Sequence, residues 1–144
     1  MFEKVRLIQM REFPLNTKEG LEFDSNFLTG TKVGVALRFQ YQDTAEDVVA
    51  MHVIVSVLDA NDGSFVMRTG ATMVFAYQGW NEISHDVDTV RTDPTIVNVA
   101  HYLIALESGM FFKMMKERIA EGTPILPFLD EDDIIAKMGV EQVS

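Results

Sequence analysis

The sequence has no cysteine and few basic residues, and each of these absences excludes classes of function. Zero cysteines rule out disulfide scaffolds, thiolate metal sites and cysteine nucleophiles. The chain carries 12 Lys and Arg residues against 22 Asp and Glu residues, which gives a formal net charge of −10 at pH 7. Such a balance argues against an electrostatic footprint for DNA, RNA or anionic lipid.

Long hydrophobic runs are absent as well. No segment approaches the roughly 18 consecutive apolar residues of a membrane-spanning helix, and the first residues lack the apolar stretch of a secretory signal. We therefore expect a cytoplasmic protein without membrane insertion. With 144 residues, 47% of them hydrophobic, the chain has the size of one globular domain, and we expect a single domain over residues 1–144.

Alternating apolar and polar residues predict four β-strands, because successive side chains of a strand point to opposite faces. An Asp62-Gly63 turn separates the third strand from the fourth, and Pro14 ends the first. Gly70 in mid-strand predicts a bulge or a bend. The strands are predicted at residues 3–13, 31–41, 48–58 and 65–77.

Helical periodicity replaces this alternation in the second half. Asp93 and Pro94 open a long amphipathic helix that continues to Glu121 and stops at Gly122. A short helix follows from Asp130 to before residue 139, its acidic first turn suiting a helix N-terminus. The predicted fold class is α+β: a four-stranded antiparallel sheet followed by one long helix and a short C-terminal helix.

This arrangement has more apolar surface than one copy can bury. Four strands of this length form a sheet roughly 35 Å by 19 Å, and one helix about 10 Å across covers only part of a face. The long helix also carries two apolar stripes. We expect the surplus to be covered by self-association or by a partner.

Large apolar residues in two predicted connections are the first candidates for such a surface. Loops rarely carry so many, and they either fold down over the sheet or accept a partner. They are Leu21, Phe23, Phe27, Ile125, Leu126, Phe128 and Leu129.

Signals for catalysis or metal binding are weak by comparison. The three histidines are far apart in sequence, and no ordered set of ligands surrounds any of them, so we predict no metal and no cofactor. Most carboxylates fall at predicted turns and helix starts. We predict a binding protein rather than an enzyme, and an enzyme alternative would begin with His85, Asp86 and Asp88, which share one loop.

The whole chain resembles the SecB export-chaperone family and its SecB-like relatives. Four parts of the sequence carry this resemblance: the first strand from Val5 to Asn16, the long connection over residues 15–30, the Asp62-Gly63 turn and the stretch from Phe112 to Leu129. It implies an ATP-independent protein that binds unfolded polypeptides in apolar grooves, and a homo-oligomer, typically a dimer of dimers. The groove residues it implies are Leu21, Phe23, Phe27, Leu28, Ile125, Leu126, Phe128 and Leu129.

The resemblance leaves the identity of the partner open. Export members dock a translocase motor through acidic residues on the sheet, and Glu12 and Asp59 lie near the matching places without reproducing that pattern. Other relatives guard an antitoxin. The alternatives are therefore a general holdase, a SecB-like domain with one dedicated partner or a structural role, and a small α+β enzyme.

Overall fold

A mixed sheet and three helices build the part of the chain that the structure, a computed structural model, describes: residues 3–24, 26, 28–44, 46–119, 126–127 and 129–143. The strands are β1 (Val5–Glu12), β2 (Asn16–Thr17), β3 (Thr31–Gln42), β4 (Val48–Asp59), β5 (Phe65–Tyr77) and β6 (Gly139–Val143). The helices are α1 (Val87–Thr92), α2 (Pro94–Arg118) and α3 (Glu131–Ala136). The α+β class is confirmed.

The sheet is larger than predicted. Its strand order is β1-β5-β4-β3-β6, and the two-residue β2 also pairs with β5. The four predicted strands are present and antiparallel, but six strands take part and β6 runs parallel to β3, so the prediction of a four-stranded, purely antiparallel sheet is wrong. β6 was not predicted, because its five residues contain only two apolar positions and this is too short a pattern to indicate a strand.

The strand register sorts the side chains onto two faces. The inner face holds the pairs Phe39–Met51 and Met51–Met73, and all three helices contribute to the apolar core packed on it. The outer face holds Arg38, His52 and Thr72, from the same three strands. The domain therefore has two layers, helices and sheet, and its core lies between them.

Helix α2 begins as predicted and ends earlier. The Asp93 carboxylate accepts a hydrogen bond from the Ile96 backbone N–H (3.1 Å), and Pro94 occupies the first turn. The predicted end at Glu121 is wrong, because Ile119 is already extended and only 4% exposed, its side chain held in the core. The helix is long and apolar enough to cross a membrane, but eight of its side chains are buried within this chain, as in a core helix.

Gly70 is explained by close packing rather than by a bulge. Pairing between β4 and β5 runs unbroken past it, and a Cβ atom there would overlap the Val53 carbonyl oxygen and lie 2.9 Å from the Phe13 ring. The irregularity of the sheet on this side lies in β1 instead, between Leu7 and Gln9. The prediction of a bulge at Gly70 is therefore wrong, and the alternative of a bend stays a prediction.

Candidate functional site

The predicted groove residues come from two separate connections, and the described ones meet at one place. Three precede β3 and two precede α3, and all five belong to or pack against the same apolar cluster. They are Leu21, Phe23, Leu28, Leu126 and Leu129. Phe27, Ile125 and Phe128 lie outside the described residues.

This second cluster lies under the C-terminal half of α2, separate from the main core. Its buried members come from the far ends of β4 and β5, from α2 and its C-cap residue, and from the connection before α3: Val55, Val57, Val66, Met67, Phe111, Met115, Ile119 and Leu126. Of the five candidate residues, Leu126 is 8% exposed and the other four are half-buried. In a single chain these side chains cover the cluster and leave part of their own surface exposed.

A cavity of ≈ 470 Å³ adjoins this cluster, and we call it the main cavity. One wall is the connection from β1 to β2, with Phe13, Pro14 and Leu15, and the other is α2, with Met110 and Met114. Leu15 and Met114 also pack against the second cluster, so the apolar wall continues into it. Thioether side chains are flexible and polarizable, which suits a surface that accepts side chains of varied shape.

Charged side chains of both signs also line the main cavity. Glu12 lies on the strand side, and Lys113, Glu117 and Arg118 lie on the helix side. The Arg118 guanidinium carbon is 5.8 Å from the centroid of the Phe23 ring, a cation–π distance that links the helix to the covering connection. The cavity thus offers apolar contact beside cations and carboxylates.

A smaller apolar cavity of ≈ 220 Å³ lies between the edge strand β1 and the first half of α2. Val5 and Leu7 line it from the strand, and Val99 and Tyr102 from the helix. Leu7 is 55% exposed and Ile8 45%, on a strand that, among the described strands, pairs on one side only. Two consecutive apolar residues in a strand with poor alternation were the sequence signal for this exposed edge.

Glu107 is the unusual polar group on α2, and sequence reasoning missed it. It is 2% exposed, and its buried Oε2 atom has no hydrogen-bond partner among the described residues. Burial, and secondarily the negative charge of Glu12, raises the pKa of Glu107 to about 7. Its spacing of four residues from both Leu103 and Phe111 placed it on the buried stripe and was the signal that could have found it.

The segment with His85, Asp86 and Asp88, the candidate residues for an enzyme, has a structural role. The His85 ring stacks on Trp80 with ring centroids 3.8 Å apart, and its Nε2–H donates to the Trp80 carbonyl oxygen (2.8 Å). Asp86 accepts a hydrogen bond from Ser84 (2.7 Å). Within the described residues neither Asp86 nor Asp88 bonds to His85, so the structure does not bring these three together as an acid–base group.

Two of the remaining titratable candidates, His101 and Asp59, also have structural partners. His101 on α2 lies 2.9 Å from the Glu131 carboxylate and so ties α2 to α3. Glu12 faces α2 from the inner face, and Asp59 accepts hydrogen bonds from two backbone N–H groups of the β4–β5 turn. Over the described ranges no three His, Asp or Glu side chains lie close enough together to hold a metal ion.

Comparisons with known proteins found similarity in structure alone. No family model matches the sequence, and no curated protein matches it. The fold is similar to that of Mycobacterium tuberculosis Rv1957, a SecB-like chaperone solved with a ChAD peptide from the Rv1956 HigA1 antitoxin (9% identity, 88% of this chain and 91% of that chain, TM-score 0.48). It is also similar to a Streptococcus agalactiae protein of unknown function (15% identity, 86% and 97%, TM-score 0.41). Similarity at this level assigns no function.

Proposed function

We propose that this chain binds segments of other polypeptides in the cytoplasm, without ATP, as a SecB-like holdase. The main support is the main cavity, whose apolar wall of Leu15, Met110 and Met114 continues into the second cluster. Five of the eight groove residues expected from the sequence pack at that cluster. Unfolded chains destined for export are one class of client that such a surface serves.

The binding energy would come from burying client side chains against this wall. Each apolar Å² removed from water contributes roughly 25 cal/mol. Ordering an extended client opposes this gain, so each contact stays weak and reversible. The net charge of −10 keeps a loaded complex soluble and favours clients with basic residues beside apolar ones.

The test is suppression of aggregation for several unrelated unfolded proteins at stoichiometric ratio. The paired substitution Met110→Gln/Met114→Gln places amides on the cavity wall. It should raise the protein concentration required to suppress aggregation about tenfold or more. Phe112→Gln is the matched control, because Phe112 is 39% exposed on the same helix and lies outside the main cavity lining. Circular dichroism verifies that all variants are folded. No suppression by the native protein refutes the general holdase.

A dedicated partner is the second candidate, and the burial of Leu126 favours it. Where Leu126 stays down over the second cluster, that cluster is closed to a guest and the main cavity beside it remains, which suits one sequence better than many. Rv1957 was solved with an antitoxin peptide, and a comparable single partner is the form this candidate takes here. A protein that suppresses no aggregation but retains one specific peptide would support it.

We further propose that copies associate through the free edge of β1, giving a dimer or a dimer of dimers. Exposed Leu7 and Ile8 and the apolar cavity beside Tyr102 support this edge as the contact. Leu7→Arg should shift sedimentation toward the monomer at a given concentration. Val87→Arg, at a 40% exposed apolar residue on α1, is the control. A native protein that sediments as a monomer at high concentration contradicts this proposal.

A further inference from the structure

The outer face of the sheet forms a second surface with chemistry of its own. All three helices contribute to cores on the inner face, and in the described part of the chain no helix packs on the outer one. The segment after β1 crosses it, where the Phe13 ring lies over Gly70 and stacks near His52 at a centroid distance of 6.1 Å. Over the described ranges, no second layer covers the rest of this face.

Positive charge is concentrated on this face of an acidic protein. By the strand register, five of the chain's 12 Lys and Arg residues point outward from the sheet, and one of its 22 Asp and Glu residues does so. The carboxylate is Glu141. The five cationic residues are Arg6, Arg11, Lys32, Arg38 and Arg68. The rest of the molecule is correspondingly more negative than the net charge of −10 suggests.

Most of these cations have no internal counter-ion. Arg38 pairs with Glu141 at 2.6 Å, but over the described ranges Arg6, Arg11, Lys32 and Arg68 make no ion pair and are exposed. Acids outnumber bases almost two to one in the sequence, so unpaired cations gathered on one face stand out against the expected mixing of charges.

The centre of the face is neutral and held in place. Thr72 donates to His52 Nδ1 (2.7 Å), His52 Nε2–H donates to the Gln40 side-chain oxygen (2.7 Å), and the Gln40 amide donates to Glu141 (3.2 Å). Burial, and secondarily the charge of Arg38, lowers the pKa of His52, which keeps this imidazole uncharged at neutral pH. Half-buried Ile54 lies in the same central strand, so apolar contact is available between the cations.

We propose that the outer face docks an acidic polypeptide surface, one that presents Asp and Glu side chains around a few apolar ones. Its carboxylates would pair with Arg6, Arg11, Lys32 and Arg68, while its apolar side chains would meet the neutral centre. A nucleic acid fits less well, because its phosphates would face the strongly negative remainder of the chain. A protein partner touches only the face that complements it.

Binding of a labelled peptide of repeating Glu-Leu-Glu-Gly units, followed by fluorescence anisotropy, tests this directly. Arg11→Gln/Arg68→Gln should weaken binding about fivefold, and binding should fall as salt rises. The matched control, Lys116→Gln/Lys137→Gln, removes the same charge from the helices and should bind as the native protein does. A single-stranded oligonucleotide of equal charge serves as the competing probe.

Three outcomes overturn the proposal: no peptide binding, equal weakening by both paired variants, or oligonucleotide binding that equals peptide binding and is lost in the same variant. The last result would make the face a general polyanion site. Suppression of aggregation, measured in parallel, should be the same for both variants, since neither touches the main cavity. Failure here is therefore distinguishable from failure of the holdase proposal.

Discussion

Replacing Glu107 by Gln should change how the stability of this protein depends on pH. Glu107 is 2% exposed on the buried side of α2, and its pKa is raised to about 7. In the part of the chain that the structure describes, its Oε2 atom has no hydrogen-bond partner. Gln has nearly the same shape but never ionises. The substitution therefore removes the titration and leaves the packing in place.

The sign follows from proton binding. The folded protein holds the Glu107 proton more tightly than the unfolded chain does, so its contribution is fully present below the ordinary pKa of 4.5 and is lost as pH rises toward 7. At about 1.4 kcal/mol for each pH unit of that interval, the loss amounts to about 3 kcal/mol. We expect the variant to be more stable than the native protein by about 1 kcal/mol or less at pH 5 and by up to about 3 kcal/mol at pH 8.

Urea unfolding at a series of pH values measures this difference. Trp80, the single tryptophan, is 1% exposed and reports loss of the core by fluorescence. Protein concentration is held constant, because association would also stabilise the folded state. Glu117→Gln, an exposed carboxylate on the same helix, is the control for the loss of one negative charge.

A stability difference between native protein and E107Q that is the same at pH 5 and pH 8 would refute this reasoning. So would a native protein that gains stability relative to E107Q between pH 5 and pH 8, since that trend requires an ionised Glu107 with a favourable partner. A control variant with the same pH dependence as E107Q would assign the effect to net charge rather than to burial.

Two further substitutions test the packing of the sheet and helix. Gly70→Ala should destabilise the fold by about 3 kcal/mol or more, because its Cβ would overlap the Val53 carbonyl oxygen. Gly34→Ala is the control and should be nearly neutral, since nothing lies within 4 Å of the added Cβ. Equal unfolding midpoints of the two variants in urea would contradict this. Asp93→Ala should lower the free energy of unfolding by about 1–2 kcal/mol, since it removes the α2 cap and the acceptor of the Tyr77 hydroxyl. Thermal melts that show Asp93→Asn to be as unstable as the Ala variant would exclude the capping role.

The sequence predicted the elements whose pattern is local and long. The strands from Thr31, Val48 and Phe65 begin where alternation placed them, because one face of each is buried by the helices. The start of α2 followed from Asp93 and Pro94. β6 and α1 were missed, since each is at most six residues long and depends on contacts with distant parts of the chain. Both pack against elements far away in sequence.

The sequence indicated which apolar residues form the candidate surface, but not how they are arranged in space. Large apolar residues in two connections pointed to one surface, and Leu21 and Leu126 do pack at one cluster. The main cavity depends on how the β1–β2 connection faces α2, which no local pattern encodes. The cations of the outer face were each visible in the sequence, yet only the pairing register shows that Arg11, Arg38 and Arg68 share a side.

The two borders of the sheet are unlike each other, which decides what kind of assembly can form. The β1 border is apolar at Leu7 and Ile8 and interrupted by an irregularity, whereas the β6 border carries Glu141 and Gln142. A contact of β1 with its own copy is self-complementary and stops at two chains. A head-to-tail contact of β1 with β6 would instead form rings or open filaments, and it would place apolar Leu7 and Ile8 against the polar side chains of β6, which disfavours it.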